Sequence, residues 1–388
     1  MQTNNTVVIV GGGPVGATLA LLLAKQGVKV TVLEARKQGD AYAESRALAL
    51  SFGSRRILEK LGVWNKLAIH ATAINSIHVS QKGSMGRTKL QASDYQQEAL
   101  GYVLSYGALS AALDAELNDL SEVNFIFEAS AENISHTMTQ ATVTYQHHGE
   151  SQRVNSALVV LADGGRSLDE LAGLERETKE YGHDALITKV SAELPHHNIA
   201  YERFTPNGPI ALLPNGERDF SLVWTGKKEL IAPLLTLSDA EFLAQFHQQF
   251  GDRVGKFLSV EKRMSFPLRM SQLQTVETEH LVVIGNAAQT MHPVAGQGFN
   301  VGLRDAESLA QHIAASADAE LGSEKMLEAY RASRKIDTKG GLLFTDFLVN
   351  IFSNDVLGVS RLRGAGLGLM DVMKPIKRQL VSKMSFGK

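Results

Sequence analysis

TVVIVGGGPVG, residues 6–16, decides the fold. Thr6 to Val10 is a short β-branched run, suited to a buried strand. It leads directly into Gly11-Gly12-Gly13-Pro14-Val15-Gly16, and a helical stretch follows from Ala17 to Gln26. That stretch is apolar almost all round, as expected of a helix held between a sheet and a second layer. Gly27 ends it, and Val28 to Leu33 reads as a second strand closing on Glu34. The result is a βαβ unit with GxGxxG at its first turn and an acid at the end of its second strand. In that reading Gly11 permits the tight turn, Gly13 lets the backbone approach a pyrophosphate, and Gly16 lets the helix pack on the sheet. The helix N-terminus faces the phosphates, with Pro14 and Val15 in its first turn, and Glu34 takes ribose hydroxyls. An acid there repels a 2′-phosphate. It disfavours NADP in this site and leaves NAD and FAD open.

A second Gly-rich stretch lies far along the chain. GNAAQTMHPVAGQGFNVGLRD, residues 285–305, follows the apolar run Leu281 to Ile284 and ends in a helix start. Two such stretches flanking one chain suggest that both reach a single cofactor. A third element lies between them: the buried run Leu158 to Ala162 ends at Asp163-Gly164, where α/β sheets place ligand contacts.

The 388 residues are too many for one simple core, so two or three domains are expected. Formal net charge is −2, which implies no bulk polyanion or polycation partner. The absence of cysteine excludes disulfides, thiolate metal sites, Cys nucleophiles and a CxxC redox pair, and no metal site is expected. The N-terminus lacks signal-peptide features, and no apolar run is long enough to span a bilayer, so a cytoplasmic location is the expectation.

Other segments read as follows. Ser54 to Leu61 is an amphipathic helix, and Ile74 to Ala99 is strand-like, with Gly83 and Gly86 suggesting a hairpin. Leu109 to Leu120 is helical, and Val123–Phe127 and Ala141–Tyr145 are strands. Between Tyr181 and Arg269, alternating segments separated by Pro-Asn-Gly turns predict a mostly antiparallel sheet. Ser238 and Glu241 form a capping-box pattern before a helix reaching Phe250, and Met326 to Thr338 is another helix. The last fifty residues read as helical and apolar. Residues 359–388 carry seven basic side chains against Asp371 alone, a pattern that fits either a helix packed on the core or a docking surface for anionic lipid or a protein.

Three features in order, Gly11-x-Gly13-x-x-Gly16 with Glu34, Ala162-Asp163-Gly164 with Ser167, and Gly285-Asn286 with His292-Pro293 and Gly296-Gln297-Gly298-Phe299-Asn300, resemble the class A flavoprotein aromatic hydroxylases. Within that group the chain resembles the ubiquinone-biosynthesis hydroxylases, most of all the 2-octaprenyl-6-methoxyphenol hydroxylase type. Ala200 to Pro206 and the Asn354–Lys377 region share the likeness. The resemblance implies an α/β fold, α+β overall: a Rossmann-like FAD-binding domain interleaved with a mostly antiparallel substrate domain, plus C-terminal helices. The expected division is 1–73, 101–178 and 271–330 for the FAD-binding domain, 74–100 and 179–270 for the substrate domain, and 331–388 for the helical region.

The resemblance also implies roles. Gly11, Gly13, Gly16 and Glu34, with Pro14, Val15 and Ala35, would hold the ADP half of FAD; Arg36 and Arg46 would lie along the pyrophosphate and ribityl chain. Asp163 and Gly164 would serve both FAD and transient NAD(P)H, Gly285 and Asn286 the ribityl chain, and Pro293 to Asn300 (with Gly296, Gln297, Gly298 and Phe299) the isoalloxazine ring. Asn286 stands where relatives usually have Asp, and Tyr102–Leu109 lacks an Arg that several relatives carry, which gives Arg46 more weight. NAD(P)H would reduce FAD, O2 would form a flavin C4a-hydroperoxide, and one oxygen atom would pass to a phenolic ring. His292 reads either as a structural hydrogen-bonding group or as an aid to proton transfer, with Pro293 beside it as a second catalytic candidate. The implied partners are a polyprenylated phenol, a multi-enzyme quinone-biosynthesis complex and a membrane surface touched peripherally; nucleic acid is not among them. Competing readings are another FAD enzyme of the same fold (a prenyl-group reductase or a hydroxylase of a non-quinone phenol), a plain NAD-dependent dehydrogenase, and a non-enzymatic prenyl-lipid carrier like the Rab escort proteins.

Overall fold

A computed structural model describes residues 7–83, 87–167, 176–273, 276–290, 297–317, 320–335, 378, 381–382 and 385–386. β1 (Val7–Val10) is buried at every position, and α1 (Pro14–Ala24) and β2 (Val30–Leu33) follow it. The helix ends before Gln26 because Gly27 N–H donates to Ala24 O at 2.9 Å and Val28 N–H to Leu23 O at 3.1 Å. That turn occupies the last helical carbonyls and delays the strand to Val30. β3 (Ala47–Ser51) runs into α2 (Phe52–Lys60), whose first turn is capped by the Ser51 hydroxyl accepting from Ser54 N–H. After α3 (Trp64–Leu67) come β4 (Thr72–Ile74), β5 (Ser76–Gln81), β6 (Arg87–Gln91) and β7 (Gly101–Ser105). β5 and β6 form the expected antiparallel hairpin, while β7 lies between β3 and β4 in a small antiparallel sheet. α4 (Tyr106–Leu117) is capped by Ser105.

β8 (Val123–Ile126) is followed by β9 (Ala129–His136), β10 (Ala141–His147), β11 (Glu150–Ser156) and β12 (Leu158–Leu161). β9, β10 and β11 make a three-stranded antiparallel sheet. β9 and β11 escape the sequence reading because only one or two positions of each are buried; their exposed faces are polar.

β13 (Arg176–Ala192), β14 (Ile199–Thr205), β15 (Gly208–Pro214) and β16 (Asp219–Lys227) are the predicted alternating segments. α5 (Lys228–Ile231) and α6 (Asp239–Phe250) intervene before β17 (Phe257–Val260) and β18 (Met264–Leu273). The capping box at Ser238 and Glu241 forms as expected. β19 (Glu277–Thr278), β20 (Leu281–Val283), β21 (Gln289–Thr290) and α7 (Gln297–Ala315) complete the labelled elements, and a further helix covers 324–335.

Two large sheets result. One has the order β19-β20-β12-β1-β2-β8, parallel apart from β19. Both its faces are buried: Val7 and Ile9 pack with helical residues such as Leu19, Leu109 and Leu309, whereas Val8 and Val10 pack against Ala141 and Val143 of the three-stranded sheet. This is the α/β layering read from residues 6–34. The other sheet runs β21-β18-β13-β16-β15-β14-β5-β6, with β17 also on β13, and is antiparallel except between β14 and β5. Residues 176–178 and 271–273 pair with each other inside this second sheet. Of the basic C-terminal stretch, Val381 and Ser385 are buried and Phe386 meets Phe52 edge-on with ring centroids 6.1 Å apart. No helix of the described residues is long and apolar enough to cross a membrane.

Candidate cofactor cleft

Each glycine of the first turn has its own physical reason. Gly11 has φ +101°, and a Cβ there would lie 2.6 Å from the Asp163 backbone. A Cβ on Gly12 would strike the Phe125 ring, and one on Gly16 would strike the Gly11 carbonyl. These three are therefore demanded by the protein itself. Gly13 is different. Its φ of −63° suits any residue, and a Cβ would meet only the Tyr106 hydroxyl, at 3.4 Å. Nothing within the chain requires glycine there, so the room it leaves is room for a ligand. α1 also opens without a side-chain cap, with Pro14 in its first turn, so its N-terminal dipole is free to meet an anion.

Glu34 closes the near end. One carboxylate oxygen accepts from Gly12 N–H at 2.8 Å; the other accepts from Arg36 N–H at 3.0 Å and from Arg36 Nε at 2.9 Å. Burial alone would raise its pKa. The Arg36 bonds and charge, with the Gly12 N–H, outweigh burial and hold it below the ordinary carboxylate value. Arg36 also reaches the Tyr106 hydroxyl at 3.5 Å, and the Arg46 guanidinium lies 4.8 Å from the centre of the Tyr106 ring. Arg46 is paired with Glu44 at 2.9 Å. Tyr106 therefore holds both predicted arginines, from the segment that lacks the arginine of several relatives. The Asp163 carboxylate turns back on its own loop, accepting from Gly165 N–H, Ser167 N–H and the Ser167 hydroxyl at 2.7–2.8 Å. It shapes the turn, while Gly164, with φ +77° and no atom near a would-be Cβ, leaves open space.

These groups line one cleft of about 690 Å³, inside the range of about 300–1,000 Å³ usual for ligand sites. Gly11, Gly13, Pro14, Val15, Glu34, Ala35, Arg36, Arg46, Asp163, Gly164, Asn286 and Phe299 all face it. The two distant Gly-rich stretches thus meet on one space. Gly16 and Gly285 stand behind the wall: Gly285, with φ +65°, packs against Val15, and its N–H donates to Asp305 at 3.1 Å. Asp305 is in turn paired with Arg334 at 2.7 Å, both side chains being nearly inaccessible. The Asn300 side chain joins α7 to the β3–α2 turn, its oxygen accepting from Ser51 N–H and the Ser54 hydroxyl and its nitrogen donating to Ala49 O. Gly298 and Asn300 lie at the start of α7 and, unlike Phe299 between them, are not part of the cleft lining. Gln297 is that helix's first residue, and His292, Pro293 and Gly296 lie outside the described residues. Sequence reading did not find Tyr106, Glu44, Arg166 or the wall at Ala129–Ala131. For Tyr106 a signal existed: Ser105 is an N-cap directly after an apolar strand, so Tyr106 begins a βα turn.

An FAD fits these residues. The free space at Gly13 and Gly164, the uncapped helix start, a carboxylate at one end and Asn286 with Phe299 at the other form a cradle for an extended dinucleotide.

Comparison with known proteins agrees. The family described as "FAD binding domain" matches residues 4–339. The "Ubiquinone hydroxylase UbiL" of Rhodospirillum rubrum is 35% identical, over 96% of this chain and 87% of its own length. The "3-demethoxyubiquinol 3-hydroxylase" of Escherichia coli is 30% identical, over 96% of both chains. The crystal structure of p-nitrophenol 4-monooxygenase PnpA from Pseudomonas putida superposes with a TM-score of 0.79 at 19% identity, covering 99% of this chain and 98% of that one, a likeness of fold.

Proposed function

The chain belongs to the FAD-binding-domain family, and on that premise we propose that it is an FAD-dependent monooxygenase hydroxylating the aromatic ring of a polyprenylated phenol in ubiquinone biosynthesis. The observation that carries this reading is where the cleft ends. Its far wall is Asn286, and three residues later β21 pairs with β18 at the edge of the large sheet. A cofactor lying along the cleft therefore ends beside a sheet that has no part in binding its ADP half. The relatives are named as a ubiquinone hydroxylase and a 3-demethoxyubiquinol 3-hydroxylase, and they match nearly the whole chain, both sheets included.

When bound, the flavin supplies oxidation of NAD(P)H and, with O2, the oxygen atom to be transferred. The chain's own residues do the rest. Glu34, kept ionised by Arg36 and Gly12, presents acceptors to ribose hydroxyls. The α1 N-terminus and Arg46 face the pyrophosphate, with Arg46 steered by Glu44 and the Tyr106 ring. Asn286 offers both a carboxamide acceptor and donors to the ribityl chain without adding charge. The first-turn amides of α7 favour negative charge at the ring end.

The test is deletion of the gene followed by analysis of the quinone pool. The reading predicts loss of ubiquinone and accumulation of a polyprenylated phenol lacking one ring oxygen. A normal quinone pool contradicts it.

A further inference from the structure

The large sheet has two unlike faces. On one, Leu186, Ile210, Leu212, Leu222 and Trp224 pack with Phe242 and Phe246 of α6. Because side chains alternate along a strand, the intervening residues occupy the other face. Strand register puts six of them in one row. Met264 is opposite Ile187, Ile187 opposite Val223, Val223 opposite Ala211, Ala211 opposite Glu202, and Glu202 opposite Val79. Five of the six are apolar, and one is a carboxylic acid. The neighbours of Glu202 along β14 confirm its direction. Tyr201 meets the Phe250 ring, with centroids 5.6 Å apart, and Arg203 Nε donates to Gln249 O at 3.0 Å, so both point to α6.

Among the described residues Glu202 has no hydrogen-bond or ion-pair partner, and burial is the only influence on its carboxyl, pushing the pKa up to about 8. Yet the side chain is only half-buried. The carboxyl is thus desolvated while part of the side chain stays accessible. Charged groups along this face stand apart and are paired: Asp219, two strands away, and Lys189, three strands away, meet at 2.8 Å, with Glu261 3.9 Å from Lys189. Where Leu90, Leu100 and Val381 pack on Ala200, the titratable neighbours are Tyr95 and the Arg378 that faces it. Arg87 and Lys89 bear on His78, which stands opposite Tyr201 on the α6 face. The row runs outward to Met264 and, two residues along β18 on the same face, Phe266, both exposed (41% and 46%).

We propose that Glu202 seats the phenolic hydroxyl of the substrate, its carboxylate taking the hydroxyl proton while the apolar row toward Met264 carries the substrate's apolar tail. The phenol O–H bond breaks, an O–H bond forms on Glu202, and the ring is left as the more electron-rich phenolate. This rests on the hydroxylase reading above. The proton balance favours it: a phenol has a pKa of about 10, so transfer to an ordinary Glu near 4.3 is uphill by about six pH units, but to this one by only about two. From Glu202 to Met264 is four strand spacings, roughly 19 Å at about 4.8 Å each, enough for several prenyl units.

The test uses FAD-loaded wild-type, E202Q and E202D protein with 2-farnesylphenol, and with 2-farnesylanisole, which lacks the proton. Wild-type kcat/KM for the phenol should rise as pH passes through about 8. E202Q should lose that rise and fall by about 10²- to 10⁴-fold, with flavin content and affinity for the anisole unchanged, and E202D should regain part of both. An unchanged E202Q profile, or equal loss of phenol and anisole binding, overturns the assignment. If wild-type protein does not hydroxylate 2-farnesylphenol at all, the hydroxylase reading falls with it; if wild type and E202Q hydroxylate it alike, Glu202 alone is excluded.

Discussion

Two glutamates mark two halves of the molecule. Glu34 sits at the end of the cofactor cleft with both oxygens engaged, and its pKa is lowered by its partners. Glu202 sits on an apolar sheet face with no partner among the described residues, and its pKa is raised by burial. The first is part of a finished polar construction, one that shapes the backbone before any ligand arrives. The second is a half-buried acid that no described residue satisfies, which is the state expected of a group that meets substrate.

The comparison breaks most readily at the glycines. Gly16→Ala should have the largest effect, since its Cβ must displace the Gly11 carbonyl, which is backbone and cannot rotate away. A cost of about 3 kcal/mol, the upper end for overpacking, is expected in chemical denaturation of the flavin-free protein, together with loss of FAD. A flavin-free stability equal to wild type would show that Gly16 serves only the ligand. Glu34→Gln should cost about 1–3 kcal/mol, because it removes an ionic acceptor from Arg36 and Gly12. The sign with pH follows from the lowered pKa: the carboxylate's contribution is complete above the unfolded value near 4.3 and is lost as pH falls through the lower folded value. The stability gap between wild type and E34Q should therefore shrink in acid, and a gap independent of pH would contradict the ion-pair account.

The near half of this comparison was legible in the sequence because its signal is local. Strand, turn, helix, strand and acid occupy residues 6–34 in uninterrupted order, and the reasons for Gly11 and Gly16 lie within that unit or in the Asp163 loop beside it. Asp163 and Asn286 were legible for a related reason: each follows an apolar strand of the same sheet, where parallel α/β layers gather their ligand contacts. Tyr106 was legible only as the start of a βα turn, since nothing near it in sequence says that Arg36 and Arg46 converge there. Glu202 was quoted in a resembling segment without a role. Its row is assembled from six strands, residues 79 to 264, and only the register reveals that its neighbours on that face are apolar. The polar strands β9 and β11 were missed because their burial, not their alternation, departs from the expected pattern.

Smaller effects sharpen the contrast. Gly13→Ala should leave flavin-free stability within about 0.5 kcal/mol of wild type, since its Cβ meets nothing closer than the Tyr106 hydroxyl. FAD affinity, read by equilibrium dialysis, should nevertheless fall by about tenfold or more. Unimpaired binding would mean that the pyrophosphate does not approach this turn. Asn286→Asp should do least, keeping or slightly strengthening flavin retention after gel filtration; expulsion of FAD would show that Asn286 does not face the ribityl chain.

The central claim is oxygen transfer by a flavin held in this cleft. Its most direct test supplies purified, FAD-loaded protein with NAD(P)H, 2-farnesylphenol and isotopically labelled O2, and weighs the product. One labelled oxygen atom on the aromatic ring, with label absent when only the water is labelled, is the result predicted. Reduction of the prenyl chain, or a ring oxygen drawn from water, would contradict it.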